Sequence, residues 1–301
     1  MKLTNKHNIN AVIAKAVKDQ QDRYQDSHKI RSDISVTQLI NSPQIVSLQK
    51  EYGDQLEEDV ADNIYSLLGS LMHQTLENVG WHMEGWTVEK RLYWDVEIPE
   101  MGIFKISGMF DAYDWNSKTL SDYKLCSVWE HINGPKVDWV RQLNVLAFMA
   151  LHNGYEVSRA TVEAVYRDWS VGKARQGGNY PENHTESIEI PLWSYDEQKK
   201  YIEDRLELHM LAQNGHPTEC TAEERWARPD KWAVMKKGRK SAVKLHDSEE
   251  DAYWHANSEN NLSVEYRPGV NVRCEEYCNV GRLGVCPQYN TKHAASENEN
   301  S

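Results

Sequence analysis

The segment 108–124 carries the residues whose types and spacing are best suited to chemistry, namely Asp111, Asp122 and Lys124. Residues 116–117, Asn-Ser, are typical of a two-residue turn, and counting back from it places the two aspartates opposite each other on neighbouring strands. Their Cβ atoms would lie about 5 Å apart, with the lysine on the same face. Two carboxylates this close repel, so we expect either a raised pKa on one of them or a divalent cation between them. A hairpin whose charges face water is the alternative.

A long helix predicted over residues 54–80 supplies a second group of polar side chains. Its apolar stripe consists of Val60, Ile64, Leu67, Leu68 and Leu71. Gly69, His73 and Glu77 follow one another at intervals of four residues, which places them on one face of the helix. The small residue would let the helix approach a sheet closely and direct the imidazole toward the aspartates. A histidine satisfied within the core is the alternative interpretation.

The elements that must position these residues alternate between strand and helix. Strands are predicted over Trp86–Ile98, Ile103–Trp115, Lys118–Cys126, Ala160–Trp169 and Ser187–Trp193. Helices are predicted over 9–27, Val137–His152 and Tyr195–Gln213. This order predicts an α/β body that ends at residue 214. A smaller module at 215–292 and a disordered tail at 293–301 would follow it.

Four groups of residues stand in the order found in one nuclease superfamily. They are Gly69-x3-His73-x3-Glu77, Gly108-x2-Asp111, Asp122-x-Lys124 and Gln142. Together they resemble the motifs of RecB-like nucleases of the PD-(D/E)xK superfamily, over roughly residues 30–155. The similarity is greatest to phage-encoded and CRISPR-associated exonucleases. It implies a restriction-endonuclease-like core at 1–214, with a mixed central β-sheet flanked by helices.

The resemblance also implies a role for each matching position. The ligands of Mg²⁺ or Mn²⁺ would be His73, Asp111, Asp122 and the backbone carbonyl of Leu125. Lys124 would position and activate the attacking water, and Glu77 and Gln142 would support the site or contact DNA. Two positions depart from the family pattern: Phe110 stands where proline is often found, and Leu146 where the Gln-x3-Tyr motif has tyrosine. The second departure leaves open how this helix grips DNA.

The C-terminal part contains a compact group of cysteines, Cys274-x3-Cys278-x7-Cys286, with Cys220 as a distant fourth. Four thiolates can hold tetrahedral Zn²⁺ or a 4Fe-4S cluster, and buried free thiols are the alternative. RecB-like relatives hold an iron–sulfur cluster with one distant cysteine and a C-terminal triplet, which favours the cluster over zinc. In those relatives the distant cysteine usually precedes the nuclease motifs, whereas the first 125 residues here contain none.

The net charge of −12, from 34 basic and 46 acidic residues, argues against a protein that coats nucleic acid through overall basicity. A basic hairpin is nevertheless predicted in the C-terminal module, with a solvated hairpin tip as the alternative. Its candidate DNA-binding residues are Lys236, Lys237, Arg239 and Lys240. No run approaches eighteen apolar residues, so a membrane span is not expected. The first residues lack an apolar signal region, which predicts a cytoplasmic protein.

These patterns lead to three hypotheses about function. The leading one is a metal-dependent DNA exonuclease that hydrolyses phosphodiester bonds in phage or bacterial DNA recombination or repair. The second is a non-catalytic DNA-binding or assembly protein on a nuclease fold, and the third is a structure-specific endonuclease. The resemblance adds DNA, and a single-strand annealing protein or other recombination factor, as partners.

Overall fold

The structure is a computed structural model that describes residues 2–27, 32–99, 102–216, 218–259 and 261–291. The chain divides into two compact units, Met1–Ser47 with Glu57–Pro217 and Leu48–Leu56 with Thr218–Ser301. Residues 48–56 therefore group with the C-terminal unit, which the composition alone gave no reason to expect. The functional division at residue 214 stays a prediction, and the tail 293–301 lies outside the described residues.

The first unit is built on a mixed sheet. The strands are β1 (Lys2–Thr4), β2 (Ile34–Ser35), β3 (Glu57–Asp59), β4 (Trp86–Ile98), β5 (Gly102–Asp114), β6 (Thr119–Cys126), β7 (Arg159–Tyr166) and β8 (Thr185–Ile190). The sheet order is β2-β5-β6-β7-β8, with β4 also paired to β5, and β1 and β3 form a separate pair. β4 and β6 run antiparallel to β5, whereas β7 is parallel to β6. The α/β class and the mixed central sheet predicted from the sequence are confirmed.

Helices flank this sheet. They are α1 (Ala11–Ser27), α2 (Val36–Ile40), α3 (Pro43–Glu51), α4 (Ile64–Gly80), α5 (Trp129–Ile132), α6 (Val137–His152), α7 (Val171–Gln176) and α8 (Tyr195–Gln213). α4 packs on β4, β5 and β6, and α6 packs on the strands from β4 to β8. Within the described ranges, no helix combines the length and the apolar character needed to cross a membrane.

The main core lies where α6 packs on the sheet. Its most deeply buried side chains include Leu92, Ile106, Phe110, Leu143, Leu146 and Phe148. Burying an apolar side chain of this size contributes about 1.5–3 kcal/mol. Leu146 is 1% exposed, so the position at which the family pattern has tyrosine belongs to the core of this protein.

Helix α4 begins at Ile64, ten residues later than the prediction over 54–80, which was wrong at this end. The preceding residues form β3, which pairs in parallel with β1, and then a 3₁₀ turn over Val60–Asn63. Asp59 ends this strand and caps the turn, because its carboxylate accepts the N–H of Ala61 at 3.0 Å and that of Lys6 at 2.7 Å. Because Asp59 ends the strand and caps the 3₁₀ turn, α4 begins only after that turn.

The second unit contains the small sheet β11-β10-β12 and the cysteines. Its elements are β9 (Ala227–Arg228), β10 (Lys231–Lys236), β11 (Lys244–His246), α9 (Glu249–Ser258), β12 (Leu262–Arg267), β13 (Val270–Asn271), a π-helical turn (Arg273–Tyr277) and α10 (Asn279–Arg282). β11 begins at Lys244, so the connection from β10 spans residues 237–243. Lys236 pairs with Leu262 of β12, and its carbonyl accepts the N–H of Arg239.

The glycine that allows close packing of α4 is Gly80 rather than Gly69. A Cβ atom added to Gly69 would meet nothing within 4 Å, so the expectation that this position brings the helix close to the sheet was wrong. A Cβ atom added to Gly80 would overlap the side chain of Val88 on β4. The close approach therefore occurs at the last turn of the helix.

Alanine substitutions at these two glycines should act in opposite directions. Gly69→Ala should raise the free energy of unfolding by about 0.5–1 kcal/mol, because it improves helix propensity without a clash. Gly80→Ala should lower it by about 1–3 kcal/mol through overpacking against Val88. Urea denaturation of both variants and the wild type checks this pair, and equal effects at the two positions would contradict it.

Candidate metal centre

The hairpin of β5 and β6 has the register predicted from the sequence but a longer turn. Ala112 pairs with Ser121 and Asp114 pairs with Thr119, which is the register that places Asp111 opposite Asp122. The turn spans four residues, 115–118, instead of two. It is closed by the carboxylate of Asp114, which accepts a backbone N–H and a hydroxyl group from within the turn.

Beyond Ser121 the backbone pairing of β5 and β6 ends, and side chains take its place. The Oδ2 atom of Asp111 accepts the backbone N–H of Tyr123 at 2.6 Å. The carbonyl of Tyr123 lies 3.0 Å from Nε2 of His73, which comes from α4. Both aspartates are buried, with 7% of Asp111 and 3% of Asp122 exposed. A gap between two neighbouring strands is thus filled by a carboxylate and an imidazole.

The ring of His73 presents its second nitrogen to two carboxylates. A carbonyl oxygen only accepts hydrogen bonds, so Nε2 carries a hydrogen and, in the neutral ring, Nδ1 has a free lone pair. Nδ1 lies 3.6 Å from Oε1 of Glu89 and 3.6 Å from Oδ1 of Asp111. The three residues offer ligand atoms that all lie within 4.8 Å of one another. Three electron-rich atoms facing one another require either a proton or a cation between them.

Glu89 is the member of this group that the sequence did not reveal. It lies on β4 between Val88, which pairs with Ala112, and Lys90, which pairs with Phe110. The predicted strand bounds Trp86–Ile98 and Ile103–Trp115 would have shifted this register by one residue, because Gly102 itself belongs to β5 and pairs with Ile98. Glu89 also has φ +47°, a left-handed conformation that no local sequence pattern predicts.

Asp122 is held by two neighbours. Its Oδ1 atom accepts a hydrogen bond from Nε2 of Gln142 at 3.0 Å, and its Oδ2 atom forms an ion pair with Nζ of Lys124 at 2.6 Å. Asp122 lies outside the group formed by His73, Glu89 and Asp111. Its negative charge nevertheless acts on both His73 and Asp111.

The two remaining predicted positions are Leu125, on β6 beside the centre, and Glu77, on α4. Leu125 follows Tyr123 by two residues on β6, so its carbonyl faces the same side of the strand as the carbonyl that contacts His73. Glu77 lies one helical turn beyond His73, and its carboxylate accepts the indole N–H of Trp81 at 3.3 Å. Glu77 therefore has a local partner on its own helix.

The electrostatics of the centre are dominated by burial and by crowded carboxylates. Burial opposes protonation of His73, but the adjacent carboxylates of Glu89, Asp111 and Asp122 raise its pKa to about 9. Burial, together with the charge of Asp122, raises the pKa of Asp111 to about 7. Burial likewise opposes the charge on Lys124, yet the carboxylate of Asp122 raises the pKa of the lysine above its ordinary value. Without a cation, the site therefore retains protons.

The four cysteines of the predicted metal module all lie in the second unit. Cys220, Cys278 and Cys286 are buried, and Cys274 is half-buried. Gln288 joins the distant cysteine to the others, because its side chain bonds both the N–H and the carbonyl of Cys220 at 3.0 and 3.1 Å. Across the described ranges, no three of these sulfur atoms lie within 4.8 Å of one another.

The basic segment of the second unit is exposed to solvent. Lys236 ends β10, and Lys237, Arg239 and Lys240 follow it in the connection to β11. All four side chains are exposed, and Nζ of Lys236 lies 3.7 Å from the carboxylate of Glu259. Whether these residues bind DNA stays a prediction.

No family model and no curated protein matches the chain. Among solved structures, the protein SSO0001 is 17% identical over 66% of this chain and 87% of its own length, with a TM-score of 0.48. An alkaline exonuclease from Laribacter hongkongensis is 12% identical over 60% and 89%, with a TM-score of 0.36. A candidate exonuclease from Eubacterium rectale is 14% identical over 56% and 61%, with a TM-score of 0.31. Since each TM-score is below 0.5, these similarities carry no argument about function.

The stability of the metal-free protein should fall as the pH rises. The folded state holds a proton on Asp111 up to a pKa of about 7, so stability declines between about pH 4 and 7. The contribution of protonated His73 is complete below pH 6.5 and is lost as the pH rises through about 9. Urea denaturation in EDTA at pH 5, 7 and 9.5 should show a total decrease of at least about 1 kcal/mol.

Replacing the imidazole of His73 separates its contribution to the pH dependence of stability from that of Asp111. His73→Gln should remove most of the decrease between pH 7 and 9.5, because the glutamine amide does not titrate in this range. Mg²⁺ or Mn²⁺ should stabilise the wild type more at pH 8.5 than at pH 6, since a cation competes with protons for the same atoms. An unchanged high-pH decrease in His73→Gln would contradict the assignment.

Proposed function

We propose that this protein is a divalent-cation-dependent deoxyribonuclease of the RecB-like type, with exonuclease activity favoured. The observation that carries the proposal is the contact of the half-buried His73 with the buried Asp111, beside an Asp122 that is paired to Lys124. Four residues from three separate motifs therefore converge where β5 and β6 separate. The resemblance of the motifs to RecB-like nucleases supports the reaction type.

The residues present fit a hard divalent cation. Oε1 of Glu89 is buried and, among the described residues, has no hydrogen-bond partner. Carboxylate and carbonyl oxygens with one imidazole are suitable ligands for Mg²⁺ or Mn²⁺. We propose the ligand set that the resemblance implies, namely His73, Asp111, Asp122 and the backbone carbonyl of Leu125. A cation there would offset the negative charge that accumulates in this buried site.

When bound, a divalent cation lowers the pKa of water and stabilises the charge that develops on a phosphodiester. Lys124 carries a positive charge, because its pKa is raised, and its ammonium group can orient the attacking water or bind a phosphate oxygen. Accepting a proton from water would first require the loss of its own. Gln142 fixes the orientation of Asp122 through its hydrogen bond, and this is the supporting role that we propose for it.

Lys124→Ala and Asp122→Ala should each lower DNA hydrolysis by at least about a hundredfold, because the first removes the ammonium group that orients the attacking water and the second removes a proposed ligand of the cation. The assay uses end-labelled linear duplex and single-stranded DNA with Mg²⁺, Mn²⁺ or EDTA. Lys118→Ala is the matched control, since Lys118 lies just before the same strand and pairs with Glu156 at the surface. It should retain wild-type activity.

Two further results decide between the hypotheses. Full activity of either site variant would overturn the assignment, and DNA binding without hydrolysis by the wild type would favour the non-catalytic alternative. Nicking of closed circular DNA would favour the endonuclease, because an exonuclease requires a free end. The proposed setting, DNA recombination or repair in a phage or bacterium beside a single-strand annealing protein, is supported by the resemblance alone.

We propose that the four cysteines hold a 4Fe-4S cluster, with zinc as the alternative. The resemblance supports this choice, because RecB-like relatives hold such a cluster with one distant cysteine and a C-terminal triplet, and four thiolates can ligate either metal group. The exposed residues Lys236, Lys237, Arg239 and Lys240 are proposed to contact DNA phosphates, because such contacts supply most nonspecific affinity.

An anaerobic preparation should be brown and absorb near ~400 nm. Cys278→Ser should lose the colour and the bound iron, whereas Cys126→Ala should keep both, since Cys126 is a buried thiol of the first unit. Measuring the iron and zinc released on denaturation distinguishes the alternatives. A colourless protein that releases zinc would establish the alternative, and a protein without either metal would leave buried free thiols.

A further inference from the structure

The carboxyl ends of β6 and β7 carry a positive charge that the candidate metal centre does not use. Arg167 follows β7 directly, and its backbone N–H donates to the carbonyl of Cys126, the last residue of β6. Its guanidinium group lies over the ring of Tyr65 on α4, 4.4 Å from the ring centroid. Across the described ranges, no hydrogen bond or ion pair engages this guanidinium. The ring therefore holds in place a cation whose N–H donors are available to a ligand.

An exposed indole lies in the segment that follows β6. Asp168, the residue after Arg167, accepts the hydroxyl of Ser127 at 2.7 Å and the backbone N–H of Val128 at 2.8 Å. These two hydrogen bonds attach the segment to the end of β7, so the next residue, Trp129, is held close to Arg167. The side chain of Trp129 is 59% exposed, and no other ring of the described residues contacts it. Its aromatic face is therefore open to solvent.

Arg167 and Tyr65 are separated from the candidate metal centre by similar distances along β7 and α4. Arg167 lies three residues beyond Ala164, which pairs with Lys124, and this corresponds to about 10 Å along the strand. Tyr65 precedes His73 by eight residues, or about 12 Å along the helix. A DNA strand bound across the centre would therefore present to Arg167 a phosphate other than the one that reacts.

We propose that Arg167 and Trp129 form a subsite for single-stranded DNA beside the metal centre. Arg167 binds a backbone phosphate, and the open face of Trp129 stacks on an unpaired base. Tyr65 is a positioning residue, because its ring holds the guanidinium group. This inference rests on the proposed nuclease function, and it adds to that function three residues that none of the recognised motifs contains.

The chemistry of these side chains favours an unpaired strand over a duplex. A planar guanidinium group binds phosphate through two parallel N–H donors. An indole stacks only on a base whose face is free, whereas in a duplex both faces of each internal base are covered by its neighbours. The carboxylate nearest to Trp129 in sequence, Glu130, is paired with Lys136 at 3.0 Å, which reduces its repulsion of a phosphate.

The experiment measures the binding of a short fluorescent oligothymidylate by fluorescence anisotropy, in EDTA and at a series of salt concentrations. Arg167→Gln should weaken binding at least about fivefold and reduce the slope of log affinity against log salt by about 0.7, because one phosphate contact is lost. Trp129→Ala should weaken binding at least about fivefold without changing the slope, because it removes a stacking surface and no charge. With blunt duplex DNA, the effect of Trp129→Ala should be smaller.

Matched variants separate the subsite from effects on folding. Arg159→Gln is the control for charge, because Arg159 begins the same strand at its opposite end and pairs with Glu189 at the surface, and it should keep the wild-type affinity and slope. Trp129→Phe keeps an aromatic face and should restore most of the affinity that Trp129→Ala loses. Tyr65→Phe should bind as the wild type and Tyr65→Ala more weakly, because the ring rather than the hydroxyl holds the guanidinium. All of these side chains are exposed, so the variants should unfold at the same urea concentration as the wild type.

The outcomes for binding and for activity are separable. A wild type that does not bind the oligothymidylate, unchanged affinity in Arg167→Gln or Trp129→Ala, or equal losses with single-stranded and duplex DNA in Trp129→Ala, would overturn the subsite. The expected losses in a wild type that cleaves no DNA would preserve the subsite and reject the nuclease. DNA cleavage by a wild type whose affinity neither substitution changes would preserve the nuclease and reject the subsite.

Discussion

The site depends on a single interruption of backbone pairing. If β5 and β6 continued their ladder beyond Ser121, the N–H and carbonyl of Tyr123 would be used by the neighbouring strand. Instead they bond the carboxylate of Asp111 and the ring of His73. These two hydrogen bonds compensate for the lost pairing, and they also determine which carboxylate oxygen and which imidazole nitrogen face the centre. A defect in the sheet and the orientation of the ligands therefore have the same cause.

The crowding of like charges has a second consequence for the structure. Asp122 is satisfied by Gln142 and Lys124, whereas Glu89 and Asp111 share one imidazole. Such an arrangement is costly in a protein without a bound ion, because buried carboxylates repel and each must be desolvated. Proteins retain arrangements of this kind at functional sites, where a ligand supplies the missing charge.

The sequence predicts the parts of this site that follow from a strict period. Asp111 and Asp122 were placed correctly because side chains alternate along a strand, so an error of two residues in turn length left the register unchanged. The start of α4 was misplaced because apolar periodicity does not show that Asp59 caps a short turn. Glu89 was missed for two reasons. Its position opposite Asp111 depends on the register of β4 with β5, which no turn residue fixed, and its positive φ is not encoded by the spacing of residues.

The contact between Gly80 and Val88 sets the axial position of α4 on the sheet. His73 lies seven residues earlier, two turns and about 10 Å along the same rigid helix. Inserting or deleting one residue between them would rotate the imidazole by about 100° and turn it away from Tyr123. The length of this half of the helix is therefore as constrained as the identity of its histidine, although none of the intervening side chains belongs to the metal group.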